Sequence, residues 1–435
     1  MKKIAVQLCL ILCGILTAYS QEITADTVAP EKTITNQAAI LKLVTRFGAP
    51  FMPERNVMFS LSGALSANSN SVPSAFSNTF LFPKFIDEGL KQEAFSKLKP
   101  MNRFGAEYST EGAVSFHPDS TWKAGGQFIR ISFAQKQLYA LGFSEDLFRV
   151  VFGGNAAYAD RRANFDNSSF YGISYQTLKA GFFKNVNKIT LGVSLGIARG
   201  LSHTNLRVKS GNLYTDAAGE YLDVAFNGSY LESGIVSNQL HVTPSYGGLM
   251  DLLFVVRPGK NWNLFAEVKD FGFINWNEST SLLSRDTALR FTGVQVNDLF
   301  DFGDSSIVFG DTLLKKIKGD EVTGVSMRAL PATFRLSATK IINNWWRAGV
   351  SAQYRNIPSY TMQYELSLKR VLMSGMAFGI NCYYGGFGKF NTGLEATLLN
   401  NGRHYLMLGT MFNEGLISAK KAAGSGFMLR YSYNL

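Results

Sequence analysis

The last eleven residues, Ser425-Gly-Phe-Met-Leu-Arg-Tyr-Ser-Tyr-Asn-Leu435, restrict the fold of this chain more than any other stretch. Successive side chains of an extended strand point to opposite faces. Phe427, Leu429, Tyr431, Tyr433 and Leu435 therefore share one apolar face. Gly426, Met428, Arg430, Ser432 and Asn434 share the other, mostly polar one. An open sheet accommodates the same alternation, so this strand needs support from the rest of the chain.

The N-terminus reads as a secretory leader over residues 1–20. Lys2 and Lys3 precede a short apolar core, Ile4 to Leu16, and Ala18 and Ser20 stand before Gln21. Cys9 and Cys13 fall within that leader, which leaves Cys382 and excludes an intramolecular disulfide. After the leader no run of about 18 apolar residues occurs, so no membrane-spanning helix is available. A mature chain that enters a membrane must then do so as a closed barrel, because lipid cannot satisfy an open strand edge.

From Asn102 onward the apolar period is two. Phe104, Ala106, Tyr108, Thr110, Gly112, Val114 and Phe116 alternate with a polar set that includes Glu107 and Glu111. Ile189, Leu191, Val193, Leu195 and Ile197 alternate with Thr190, Gly192, Ser194, Gly196 and Ala198. The segment after Pro331 is the most regular, with strands expected around Phe334, Trp346, Met362, Met376 and Phe390. These strands run about 9–12 residues, the length a tilted strand needs to cross a bilayer. Strands of water-soluble sandwiches are usually shorter, about 5–6 residues. The expected fold is all-β, a transmembrane antiparallel barrel of about 14–16 strands with a short N-terminal helical region.

Two stretches interrupt that pattern. Ser66 to Asn78 reads as a loop, and Phe85 to Leu98 as an amphipathic helix with Ile86, Leu90, Ala94 and Leu98 on one stripe. That helix is a candidate plug in the barrel mouth, or alternatively an interfacial helix on the bilayer. The expected organisation is a leader at 1–20, an entry segment with first strand and helix at 21–100, and the main barrel at 101–435.

Net charge is +11, yet only 17% of residues are charged and no run of five basic residues exists. This excludes a nucleic-acid binder and fits a surface or lumen that meets outer-membrane lipid and anionic glycolipid. The expected lumen-facing charges are Glu107, Glu111, Arg335, Arg347, Arg355, Glu365, Lys369, Lys389, Glu395 and Arg430. They either fill the interior as a polar network or line a permeation path. Four histidines, His117, His203, His241 and His404, are expected in turns or aromatic girdles. No nucleophile elbow, metal-ligand cluster or phosphate-cradling loop accompanies them, so neither an enzyme nor a cofactor is expected.

The terminal face Phe427, Leu429, Tyr431, Tyr433 and Leu435 resembles the signal by which barrel-assembly machinery recognises outer-membrane barrels, with Leu435 in place of the usual final aromatic. Asn102-Arg-Phe-Gly105, Gly153-Gly-Asn155, Gly247-Gly-Leu-Met-Asp251, Asp270-Phe-Gly-Phe-Ile-Asn-Trp276 and Ala329-Leu-Pro331 recur in an order that resembles a known family. It comprises functionally uncharacterised outer-membrane barrels of gliding and type-nine-secretion bacteria. These are broadly similar to the long-chain fatty acid transporter fold. The resemblance implies an outer-membrane location and supplies no catalytic or ligand residues. Two functions remain open at this point. One is binding or passage of a small, partly hydrophobic molecule through a partly plugged barrel. The other is a non-transporting platform for secretion, adhesion or gliding partners.

Overall fold

In a computed structural model, the described residues are 56–81, 85–234, 245–259, 261–280, 285–292, 323–372, 375–400, 403–414 and 423–435. The expected leader, the segment before Asn56, His241 and the charged stretch 298–322 lie outside them.

The chain starts its wall with β1 (Val57–Ser69), β2 (Met101–Phe116) and β3 (Gln127–Ser144). A short β4 (Arg161–Asn164) precedes β5 (Ser169–Val186) and the long β6 (Ile189–Thr215). β7 (Leu222–Ser233), β8 (Ser245–Val256), β9 (Trp262–Thr280), β10 (Arg285–Phe291) and β11 (Thr323–Ala329) follow. The last seven are β12 (Thr333–Ile341), β13 (Trp346–Arg355), β14 (Thr361–Val371), β15 (Met376–Gly386), β16 (Asn391–Asn400), β17 (His404–Met411) and β18 (Gly424–Asn434). Fourteen of them close an antiparallel barrel, all but β4, β7, β10 and β11. The seam pairs β1 with β18, which sets Phe59 beside Tyr433, Leu61 beside Tyr431 and Leu65 beside Phe427. The expected all-β barrel, and its strand number, are therefore what the chain forms.

Alternation decides which side chains meet lipid. Leu195 and Leu336 are 62% and 64% exposed on the outside, whereas Asn381 and Ser432 are 1% exposed on the inside. Exposed Leu61, Phe133, Leu178, Leu366 and Ile380 continue the outer belt around the wall. An apolar surface of this extent is not stable against water and fits a bilayer. No described helix is long and apolar enough to cross a membrane.

Strand length divides the wall into two sectors. β12 to β18 have 8–11 residues, enough to span and little more. β3 and β5 have 18, β9 has 19 and β6 has 27. At about 3.3 Å per residue, β6 is roughly 90 Å long. Its first half pairs with β8 and its second half with β7. β9 likewise pairs with β12 low down and β11 higher up. The break between β11 and β12 falls at Leu330-Pro331, where proline cannot donate to a ladder. The short turns, at Asn187-Lys188 for example, share one end with the N-terminus of β1 and the C-terminus. The longer connections share the other end.

The helices gather at the long-loop end, except for one short helix in the β2–β3 turn at the opposite end. Contrary to the expected loop at Ser66 to Asn78, β1 runs to Ser69 and α1 (Ser74–Leu81) follows. α2 (Glu88–Lys97) starts where the Asp87 carboxylate accepts the Leu90 amide at 2.8 Å. A short α3 (Ser120–Ala124) fills the β2–β3 turn, and α4 (Glu145–Gly153) is capped by Ser144. α2 shares the stretch expected to be helical, but it does not enter the interior. Ala94 and Phe95 pack with Phe76, Phe143 and Phe148, and with partly buried Phe104 and Leu141. Phe104 lies on the outward set of β2 with Tyr108 and Val114. Leu141 and Phe143 lie on the outward set of β3 with exposed Phe133 and Tyr139. The helical cap therefore packs on outward-set residues of β2 and β3 at the rim.

Candidate functional site

The interior is built from inward side chains in layers. Nearest the long-loop end is an apolar and aromatic layer. Tyr171, Tyr175, Ala198, Ile274, Trp276 and Leu330 form its buried core. Two β-bulges produce it. Leu201 is an extra residue in β6, between Gly200, which faces Tyr175, and Ser202, which faces Ser174. In β9 the register with β8 shifts between Met250 and Leu252, opposite Lys269 and Asp270. Asp270 sits there at φ 55°, a left-handed conformation uncommon for any residue but glycine. A bulge switches which alternate residues face inward. Glu267 faces in before it, and Ile274 and Trp276 face in after it, while Phe271 and Phe273 turn out to lipid. The Asp270-to-Trp276 stretch is thus a mid-strand crossover.

Turns of the short sector fold inward and complete this layer. Ile357 and Phe387 join the cluster, with Tyr360 against it. Gly385, at φ 96°, makes the sharp turn that brings Phe387 in, where a Cβ would lie 2.1 Å from the Met362 carbonyl oxygen. Phe387 then lies over Gly105 on β2, so close that a Cβ there would be 2.0 Å from its ring. Arg103 donates from Nε and Nη2 to the Phe387 and Gly388 carbonyls at 3.0 and 2.9 Å. The widest bridge is an ion pair, Arg355 Nη1 to Glu107 Oε2 at 2.6 Å, joined by Nη2 to Oε1 at 3.1 Å. β13 and β2 stand seven strand positions apart in the fourteen-stranded wall, so this pair crosses the full interior.

Below lies a charged layer. Asp270 receives Lys136 on Oδ2 and Lys179 on Oδ1, the latter at 2.7 Å, and Lys179 also reaches Asp251 at 2.6 Å. The Tyr175 hydroxyl donates to Asp270 at 3.1 Å, and the Asp270 amide donates to Asp251 at 2.8 Å. A polar chamber of about 80 Å³ adjoins it, lined by Ser60, Ser62, Glu111, Arg130, Ser194 and Glu267, among others. At the short-turn end two apolar clusters form a floor. One contains Met58, Val371, Leu399, Tyr405 and Met407, and the other stacks Phe128 on Phe183 at 4.8 Å.

The sequence-derived lumen residues fall into this scheme individually. Glu107 and Arg355 form the bridge, and Glu111 pairs with Arg130 at 2.6 Å beside the chamber. Arg335 donates to Gln353, whose amide reaches the Tyr360 hydroxyl. Glu365 accepts from Ser351, and Lys369 is held by both oxygens of Glu395 at 2.8 and 2.9 Å. Arg430 lines the chamber. Arg347 is buried at the floor. Lys389 departs from the expectation: it lies in the exposed β15–β16 turn, outside the wall strands. The terminal face is outward along the seam, with Phe427 and Leu435 exposed.

Sequence reasoning missed the Lys136–Asp270–Lys179 network, because its members lie on three strands and Asp270 breaks the alternation. It also misplaced His203, which is buried beside Trp276 with ring centroids 5.7 Å apart, and not in a turn. His117 and His404 do lie at strand ends, against the Gln127 carbonyl and the Tyr431 hydroxyl. Among the described residues no cluster of three metal-ligating side chains exists.

A family model described as a family of unknown function, DUF5723, matches residues 47–408, and the chain belongs to that family. No curated protein matches the sequence. Solved structures overlap it loosely. The Pseudomonas putida toluene transporter TodX covers 89% of this chain and 91% of its own, with 10% identity and a TM-score of 0.43. The Ralstonia pickettii toluene transporter TbuX covers 92% and 94%, with 9% identity and a TM-score of 0.43. A Pseudomonas aeruginosa FadL homologue covers 88% and 90%, with 9% identity and a TM-score of 0.39. Overlap this loose carries nothing about function to this chain.

Proposed function

We propose that this DUF5723 protein is an outer-membrane barrel that binds or passes a small, partly hydrophobic molecule, with the inward-folded turns as its gate. The observation that carries this reading is the apolar layer inside the barrel. The interior of a water-filled pore is polar. Here Tyr171, Ile274, Trp276, Ile357 and Phe387 face inward at the long-loop end, directly above charged residues and a polar chamber. A gate made of short turns can move without disturbing the strand ladders, since its anchors across the interior are side chains. The Glu107–Arg355 pair is the longest of those anchors.

The test replaces both charges at once, in E107Q/R355M, so that no lone charge is left inside. Folded wild-type and variant protein are placed in liposomes, and uptake of a small fluorescent amphiphile is measured. Uptake is expected to rise severalfold in the variant. Uptake equal to protein-free liposomes in both, with heat-modifiable migration retained, would remove the transport reading.

That outcome would favour the second reading, a platform. Its specific support is the tall sector, where β6, β7 and β10 continue past the spanning height and offer a projecting sheet to a surface or secretion partner.

A further inference from the structure

Arg347 is an interior charge whose guanidinium is only partly satisfied. Its residue is 1% exposed, yet no described carboxylate pairs with it. Nη1 is fixed, donating to the Asn343 and Trp346 carbonyls at 2.6 and 3.0 Å. Nε and Nη2 are buried and have no hydrogen-bond partner among the described residues. These two nitrogens form the side-on edge of the guanidinium, one of its two edges with paired parallel N–H groups, and it matches the paired oxygens of an oxyanion.

The surroundings sharpen the point. Lys369 stands directly across from Arg347 in the β13–β14 register, a like charge facing a like charge inside the wall. Both oxygens of Glu395, the carboxylate beside Lys369, are already on that lysine. An uncompensated buried charge destabilises the fold that holds it. Truncating Arg347 would relieve that cost at once, so a fold that keeps the guanidinium there gains something from its free edge.

We infer that Arg347 is the centre of an oxyanion-binding site at the short-turn end of the interior, which takes a carboxylate or the equivalent edge of a phosphate or sulfate. Nη1 and the two carbonyls hold the guanidinium plane in place, and the Nε–Nη2 edge binds the anion bidentately. The positive charge of Lys369 adds to the attraction. This site stands whether or not the barrel conducts.

The test uses the full-length folded protein in nonionic detergent at constant ionic strength. Sodium chloride is replaced stepwise by acetate, phosphate or sulfate, and the thermal midpoint is followed by loss of the folded gel band. The wild-type midpoint is expected to rise saturably with at least one oxyanion. Acetate alone would identify a planar carboxylate site, and phosphate or sulfate a tetrahedral one. R347M is expected to start at a higher midpoint than wild type in chloride and to show no oxyanion response. R347K, which keeps the charge but loses the edge, should need at least about tenfold more oxyanion for half-saturation. No response in wild type, or an equal response in R347M (an adventitious ion only), would overturn the site. Failure of both R347M and R347Q to fold would overturn it equally, because a group without a partner is not needed for assembly.

Discussion

The two sectors of the wall solve different problems with the same pleated strand. The β12–β18 sector is trimmed to the bilayer, with strands of 8–11 residues. The sector from β3 to β9 overshoots, with strands of up to 27 residues. The height difference is what closes the interior. Residues at the low rim reach across the interior, as Ser359 does to Ser169 on β5 of the tall wall and Arg355 to Glu107 on the neighbouring β2. A barrel of uniform height would hold its turns around the rim and leave the mouth open. The Leu201 bulge and the Asp270 shift each re-aim the rest of a long strand in the tall sector, while the short sector carries a shift between Thr361 and Tyr364 near its rim.

The largest expected effect is at the seam that joins the sectors. Deleting β18, or placing Tyr431→Asp on its lipid face, should abolish assembly. Deletion leaves the β1 and β17 edges unpaired in lipid, each exposed backbone group costing several kcal/mol. The check is folded yield by heat-modifiable gel migration, and normal yield would refute the seam.

The next effect compares buried ion pairs between sectors. Asp270→Asn in the tall sector removes a carboxylate charge shared by Lys136 and Lys179, of which Lys179 keeps Asp251, and Glu395→Gln in the short sector removes one held by Lys369. Removing one partner of a buried pair costs about 3–5 kcal/mol. Asp270→Asn should therefore lie at the upper end of that range and Glu395→Gln lower, in a urea titration of folded protein. Equal losses would show that the network is not organised around Asp270.

A third experiment locates the boundary along β6. Leu195→Arg lies on the lipid face and should cost about 2–4 kcal/mol if near the midplane. Ser210→Arg, on the exposed projecting half, should cost close to nothing. Similar costs at both positions would contradict a strand that leaves the bilayer between them.

The smallest effect is expected at the rim helix. Removing residues 85–98 strips α2 from the outer face of β2 and β3, so uptake through the barrel should stay unchanged while folded stability falls modestly. A large rise in uptake would return the helix to the interior as a plug.

Much of the wall was legible because one face of each spanning strand meets lipid, and that requirement writes itself into every second residue. Ile189 to Ile197 and Phe427 to Leu435 give inward and outward sets directly. Legibility failed where that requirement is suspended. At Asp270 a single extra residue exchanges the faces, and a period-two reading carried across it puts Trp276 on the wrong side. At Ser66 to Asn78, serine and asparagine suggested a loop, yet Ser69 and Asn70 bond to Arg103 and let β1 continue into a helical cap. The helix at 85–98 was visible by period, but its docking face was not, because an apolar stripe does not say which apolar surface covers it.

The sequence by itself determined the class of fold: an alternating apolar face, strands long enough to span, no spanning helix and a strand at the very end leave a closed barrel as the arrangement that satisfies every backbone group in lipid. Only the tertiary structure decided what the barrel encloses. Glu107 and Arg355 are 248 residues apart in the chain, and Lys136 and Asp270 are 134 apart. Whether such residues meet depends on strand count, stagger and the register shifts between strands, which fix heights and facing around a closed ring. Periodicity along one strand carries the side of the wall on which a residue stands, and not the residue it faces across the interior.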